Sequence, residues 1–263
     1  MRKRDSFNEA AQLYDAVRPT YPDELIDWII EKTKLNKNDD LLEIAPGTGQ
    51  CTKKFAERDF KIHSVELGNK LAELLLFNMK GKNVTVDVAP FEEWESKHIK
   101  KYKLIYCATA WHWLDPSIKY HKSSELLHDD GRLAVIWNNS VGDMKNDVLK
   151  EAYRLLFTYH DETPHSIKPK TKDEIKKISE STKEMLEESK HFLLDDYYEQ
   201  IWSSSQSRKK TIQGFYSQSS FLSLCKEDQK ELKEKLSVLF ENLDDELEVH
   251  FKSVVYLCKK RIK

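Results

Sequence analysis

Three short stretches hold residues able to do chemistry together. The first is Glu43-Ile44-Ala45-Pro46-Gly47-Thr48-Gly49, an acid inside an apolar run that ends in a glycine turn. The glycines leave room for a ligand to approach the backbone closely. The second is Glu66, which ends the segment Lys61-Ile62-His63-Ser64-Val65-Glu66, 23 positions after Glu43. A carboxylate only accepts hydrogen bonds, so it suits a vicinal diol such as a ribose; the alternative for Glu66 is a surface acid at a strand end. The third is Ala110-Trp111-His112-Trp113-Leu114-Asp115-Pro116. A histidine titrates near neutral pH and can take a proton from a nucleophile; equally, His112 can bond a backbone group and fix its loop.

The elements needed to hold these residues can be read from hydrophobic period. Leu41 to Ile44 is a buried parallel strand, and Cys51 to Arg58 starts a helix after the glycine turn, the arrangement that cradles nucleotide-like ligands at the carboxyl end of a sheet. Lys61 to Glu66, Asn83 to Val88 and Lys103 to Thr109 are strands two to four, with a helix from Asn69 to Met79. A helix from Ser117 to His128 and a turn at Asp129-Asp130-Gly131 lead to strand five, Arg132 to Asn138. Ahead of the sheet, Phe7 to Val17 and the stretch opened by Pro22 form two amphipathic helices. A strand is expected around Tyr198 to Ser203. Helix Lys226 to Leu243 comes next, and then a half-buried strand of period two through Leu247, Val249, Phe251, Ser253, Val255 and Leu257.

The run Glu43-x-Ala45-x-Gly47-x-Gly49 resembles motif I of the class I S-adenosylmethionine-dependent methyltransferases, with Ala45 in place of the first glycine. The opening Ser6-Phe7-Asn8-Glu9-Ala10-Ala11 through Tyr14-Asp15 to Arg18-Pro19-Thr20-Tyr21-Pro22, and the Ala110-to-Pro116 run, resemble a small-molecule subgroup near trans-aconitate methyltransferase. The resemblance implies a Rossmann-like α/β fold: seven mostly parallel strands, an antiparallel last strand, helices on both faces and a helical cap. It implies S-adenosyl-L-methionine as cofactor, with Glu66 and Leu67 at the ribose, Phe91 and Glu92 at the adenine, and Glu43, Ala45, Gly47, Gly49 and Ala110 along the strand tips. Tyr14 and Arg18 would come from an N-terminal flap, the guanidinium matching a carboxylate. For Arg18 a surface ion pair, for Tyr14 helix packing, for Phe91 plain core, and for Glu43 a buried, hydrogen-bonded acid remain alternatives. Trp111 and His112 would face the methyl group as catalytic residues.

The expected division is a core of residues 1–141, a mainly helical cap of 142–243 that lends one core strand near 198–203, and a final strand in 244–263. A formal net charge of −2 gives no strong field for nucleic acid or anionic membrane. The base-methylating N/D-P-P-Y/F run is missing after strand four, so a small-molecule acceptor is expected rather than a nucleic acid. The four cysteines form no C-x-x-C pair and read as reduced thiols of a cytoplasmic protein, monomer or homodimer, without a membrane span or a metal. Three alternatives stay open: a protein or peptide methyltransferase, a non-catalytic binder on the same scaffold, and a distant nicotinamide dehydrogenase.

Overall fold

A computed structural model describes residues 11–96, 101–140, 146–159, 182–184, 186 and 188–261. The elements are α1 (Ala11–Val17), α2 (Asp23–Thr33), β1 (Asp40–Ile44), α3 (Gln50–Ala56), β2 (Lys61–Glu66), α4 (Asn69–Asn78), β3 (Val84–Val88) and β4 (Tyr102–Ala108). A 3₁₀ turn (Trp111–Trp113), α5 (Pro116–Leu126), β5 (Leu127–Ser140), α6 (Asp147–Phe157) and β6 (Phe192–Ser207) follow. The chain then forms α7 (Arg208–Tyr216), α8 (Ser219–Leu222), α9 (Lys226–Phe240) and β7 (Glu246–Lys260).

Among the described residues the strands form one seven-stranded sheet, ordered β3-β2-β1-β4-β5-β7-β6. It is mostly parallel with an antiparallel last strand. β1 pairs in parallel with β2 on one side and β4 on the other, so chain order reverses beside β1. In open α/β sheets ligands sit outside the carboxyl ends of the strands at that reversal. The central strands are covered on both faces, as parallel strands must be. Leu42, Ile44, Ile105 and Cys107 join one apolar cluster, and Leu41, Leu104 and Tyr106 join the other.

The chain divides into two compact units. One comprises Pro19–Asn139, Ile178–Ile201 and Lys252–Lys263 and contains the candidate sheet-end site. The other comprises Met1–Arg18, Ser140–Lys177 and Trp202–Phe251. This second unit has its own apolar cluster, in which Ala152 and Leu156 of α6 meet Phe215 of α7 and Leu232, Leu236 and Phe240 of α9. The i, i+4, i+8 spacing of those last three is the buried stripe of a helix.

Three sequence expectations need correction. Asp129-Asp130-Gly131 is not a separate turn: β5 starts at Leu127, and between its pairings with Tyr102 and Leu104 of β4 four residues, 128–131, stand against Lys103 alone, so these residues form an irregularity within the strand. β6 is far longer than the expected 198–203. Its burial alternates along most of its length, but its charged residues had hidden the period; Asp195 meets Arg132 at 2.7 Å and Lys259 at 2.9 Å. β7 alternates only at its start. From Ser253 to Cys258 every residue is buried, because the strand lies inside the sheet between β5 and β6 and both faces are covered.

Candidate functional site

The turn after β1 is tightly specified. Ala45 has φ 53°, Gly47 61° and Gly49 99°. An L-residue with a Cβ pays about 1 kcal/mol or more in this left-handed region, so Ala45 sits under strain where the resembled motif has glycine. Gly49 has a second constraint: a Cβ there would come within 2.7 Å of Leu75 Cδ1 and 3.3 Å of Met79 Cε. It packs the turn onto α4 and stands as N-cap of α3.

Glu66, buried at the end of β2, ties this turn to the next. Its Oε2 accepts from the Gly47 amide at 2.9 Å, and its Oε1 accepts from the Gly68 amide at 2.9 Å. Burial pushes its pKa up, while the Gly68, Gly47 and Leu67 amides pull it back down. Each carboxylate oxygen has two lone pairs, so further acceptor capacity remains beside both amides. Glu43 is wholly buried one strand away. Its Oε2 accepts from Thr52 Oγ1 at 2.5 Å and Tyr106 Oη at 2.9 Å, and its Oε1 has no partner. Burial pushes its pKa up to about 7, against the pull of the two hydroxyls and with added repulsion from Glu66.

After β3, Phe91 is buried and stacks on Trp94, with ring centroids 6.4 Å apart and 22° between planes. Trp94 Nε1 donates to Asp87 Oδ2 at 2.8 Å, fixing the turn to β3. Glu92 is half-buried, and its Oε1 accepts from the Asp115 amide at 2.9 Å, linking this turn to the loop after β4.

That loop begins at Thr109, another non-glycine residue with positive φ, 59°. The Thr109 amide donates to Ile136 O at 2.8 Å, and its hydroxyl bonds Tyr21 Oη at 2.9 Å. The neighbouring Thr20 carbonyl accepts from Asn138 Nδ2 at 3.0 Å. Residues 20 and 21 are therefore strapped to the ends of β4 and β5. His112 is exposed, its ring 4.5 Å from Trp113 and 5.2 Å from Trp137 at the end of β5. Trp111 turns inward, only 1% exposed, with its ring edge-on to Tyr120 at 5.7 Å.

The fold thus gathers Glu43, Ala45, Gly47, Gly49, Glu66 and Leu67 at the ends of β1 and β2. Phe91 and Glu92 follow β3, and Ala110, Trp111 and His112 follow β4. Arg18 belongs to the other unit, and the Tyr14 side chain and residues 1–10 lie outside the described residues. Spacing alone missed Tyr21, Thr109 and Asn138; the only sequence signal was Tyr21 inside the Arg18-to-Pro22 run.

A family model described as ribosomal RNA adenine dimethylase matches residues 22–127. An uncharacterized methyltransferase of Mycobacterium tuberculosis is 29% identical over 133 residues, 51% of this chain and 52% of that protein. Ribosomal RNA small subunit methyltransferase A of Clostridium botulinum is 36% identical over 61 residues, 23% of this chain and 22% of that protein. The chain thus spans about half the length of the uncharacterized methyltransferases it matches. A structure assigned as a type II methyltransferase from Anaeromyxobacter dehalogenans superposes with TM-score 0.61 at 17% identity, covering 92% of this chain and 97% of the other. The likeness shows the fold: this chain has the Rossmann-like, mostly parallel seven-stranded sheet of these methyltransferase structures. Another structure of that methyltransferase fold, from Geobacter sulfurreducens with S-adenosylhomocysteine bound, has TM-score 0.51 at 10% identity and covers 93% of each chain. In this chain the antiparallel β7 sits next to last in the sheet order, between β5 and β6.

Proposed function

We propose that the protein is an S-adenosyl-L-methionine-dependent methyltransferase acting on a small-molecule acceptor through an oxygen, nitrogen or carboxylate nucleophile. The observation that carries this reading is the Glu66 carboxylate, held by amides of the turns after β1 and β2 at the point where strand order reverses. The residues present fit the cofactor: an acceptor-only group for a diol, a glycine turn that leaves the backbone open, and a buried Glu43 oxygen still lacking a donor. When bound, the cofactor supplies an already activated methyl group, so the protein's task is alignment and exclusion of water.

In this reading Glu66 and Leu67 hold the ribose, Phe91 and Glu92 receive the adenine, and Ala45, Gly47, Gly49 and Ala110 line the approach. Glu43 orients the glycine turn from beneath or meets the cofactor's ammonium through water. By the family resemblance Tyr14 and Arg18 are candidates for the methionine end of the cofactor. His112 accepts the acceptor's proton, and Trp111 shapes the loop that presents it.

A second reading, a nucleic-acid acceptor, draws support from the adenine dimethylase match over residues 22–127. The net charge of −2 and the Ala-Trp-His-Trp run in place of a base-methylating motif weigh against it. Incubating the protein with methyl-labelled cofactor and a fractionated cell extract separates them. Label in the small-molecule fraction supports the first reading; label only in RNA or only in protein replaces it.

A further inference from the structure

Two lysines on α5 do work that neither the fold nor the strand-end residues explain. Lys119 is only 4% exposed. Its ammonium donates to the Trp111 carbonyl at 2.9 Å and lies 5.2 Å from the ring centroids of both Trp111 and Tyr120. Three residues on, and so on the same side of the helix, Lys122 donates to the Glu92 carbonyl at 3.2 Å and to the Trp94 carbonyl. Its ammonium also lies 5.3 Å from the Phe91 ring centroid and 6.0 Å from that of Trp94. One helix therefore grips the backbone of the loop after β4 with one ammonium and that of the loop after β3 with the other.

Placing these charges there is expensive. Burial lowers the pKa of both lysines, and nearby acids only partly oppose it: Asp115 and Glu92 for Lys119, Glu95 and Glu92 for Lys122. A buried ammonium is tolerated when its protons are bonded and its charge meets polarisable groups. Here the bonded groups are main-chain carbonyls and the polarisable groups are the aromatic rings of the same two loops. A methionine or leucine would fill this volume without the desolvation cost, so packing alone does not call for lysine. The α5 N-terminus completes the connection: the Asp115 side chain caps the helix through the Ser117 amide at 2.8 Å, while the Asp115 amide donates to Glu92 Oε1.

We propose that Lys119 and Lys122 are positioning residues: a two-ammonium staple on α5 that holds the loop after β3 and the loop after β4 in one fixed relation. The role assigned to those loops rests on the methyltransferase reading; the staple itself does not. Lys122 fixes the carbonyls on either side of Glu93, and with them Phe91 and Glu92, which face the adenine in that reading. Lys119 fixes the carbonyl immediately before His112, and with it the direction in which the histidine leaves the sheet. Because both ammoniums leave the same helix, ordering one loop orders the other.

Amide hydrogen exchange reads this directly. The reporters are the Glu93 and Trp94 amides, bonded to Pro90 O, and the Trp113 amide, bonded to Ala110 O. The variants are Lys119→Met, Lys122→Met and Lys122→Arg, each compared with the parent with and without S-adenosylhomocysteine. Lys122→Met should speed exchange at 93 and 94 and weaken S-adenosylhomocysteine about tenfold, the equivalent of about 1.4 kcal/mol. Lys122→Arg, which keeps the cation and its donors, should restore both. Lys119→Met should speed exchange at 113 while leaving 93 and 94 near parent values, and should abolish the protection that ligand at the adenine side confers on 113. If Lys119→Met does not fold, the Lys122 pair still decides. Unchanged exchange at all three amides, a uniform rise across the chain, or failure of Lys122→Arg to rescue overturns the staple. A parent that binds no S-adenosylhomocysteine, with the exchange pattern as expected, removes the methyltransferase reading and leaves the staple.

Discussion

The ends of β1 and β2 are built differently from the ends of β4 and β5. At the first pair the chain serves itself with backbone. Glu66 takes the Gly47 and Gly68 amides, the Ala45 amide donates to Val65 O, and the turn is fixed by left-handed backbone at Ala45, Gly47 and Gly49. At the second pair the loop is held by side chains from elsewhere in the chain: Tyr21 from 88 positions away, Lys119 from the following helix, and Asn138 reaching Thr20 across 118 positions. Backbone-built turns depend on little more than glycine placement and one acid, so they suit a part that many proteins share. A loop held by distant side chains changes whenever those residues change, which in the proposed methyltransferase reading suits the part that faces the acceptor.

The sharpest way to break the comparison is to put a side chain into the backbone-built turn. Gly49→Val meets Leu75 and Met79 and also forces a β-branched residue to φ 99°. We expect a loss of about 3 kcal/mol or more, or failure to fold, in denaturant melts. A loss under about 1 kcal/mol would mean that the turn is not rigid.

Glu43 gives the next largest effect and a pH signature. Its folded pKa of about 7 lies above the ordinary carboxylate value, so between roughly pH 4.5 and 7 the folded state binds more protons than the unfolded state. Stability from this group is therefore full below that window and falls as pH rises through it, by on the order of 3 kcal/mol. Glu43→Gln keeps an acceptor for Thr52 and Tyr106, so it should flatten this dependence and raise stability above pH 7. Equal slopes for parent and variant in urea melts at pH 5, 6 and 7.5 would contradict that account.

At the side-chain-held end, Tyr21→Phe removes one half-buried hydrogen bond and should cost about 1 kcal/mol, with faster hydrogen exchange at the Thr109 amide. Ala45→Gly is the smallest and has the opposite sign. Freed of its left-handed penalty, the turn should gain up to about 1 kcal/mol, less the added freedom of the unfolded chain.

The same contrast governs what could be read before the structure. The strands around Glu43, Glu66 and Leu104 were legible because continuous apolar runs and glycine punctuation are local signals. Glu66 was legible because its distance from the glycine turn follows from one strand-helix-strand unit. β6 exceeds its expected bounds because Asp195-Asp196, Glu199 and the run Ser203-Ser204-Ser205 blur the alternation that its burial follows, and β7 reads as half-buried because its place inside the sheet depends on partners far away in sequence. Tyr21, Thr109, Lys119 and Lys122 escaped for the same reason. A lysine three residues from another on a helix reads as a solvated face until the two loops beneath it are known. The flap residue Arg18 lies in the other unit, so its role rests on resemblance.

The most direct test of the whole account is a calorimetric titration of S-adenosylhomocysteine into the parent protein and Glu66→Ala, after melts have shown both to be folded. The account predicts saturable binding to the parent and a loss of about 100-fold or more in the variant, since a bidentate charged acceptor is removed from a buried site. Equal affinity for the two proteins, or no binding to the parent, would contradict it.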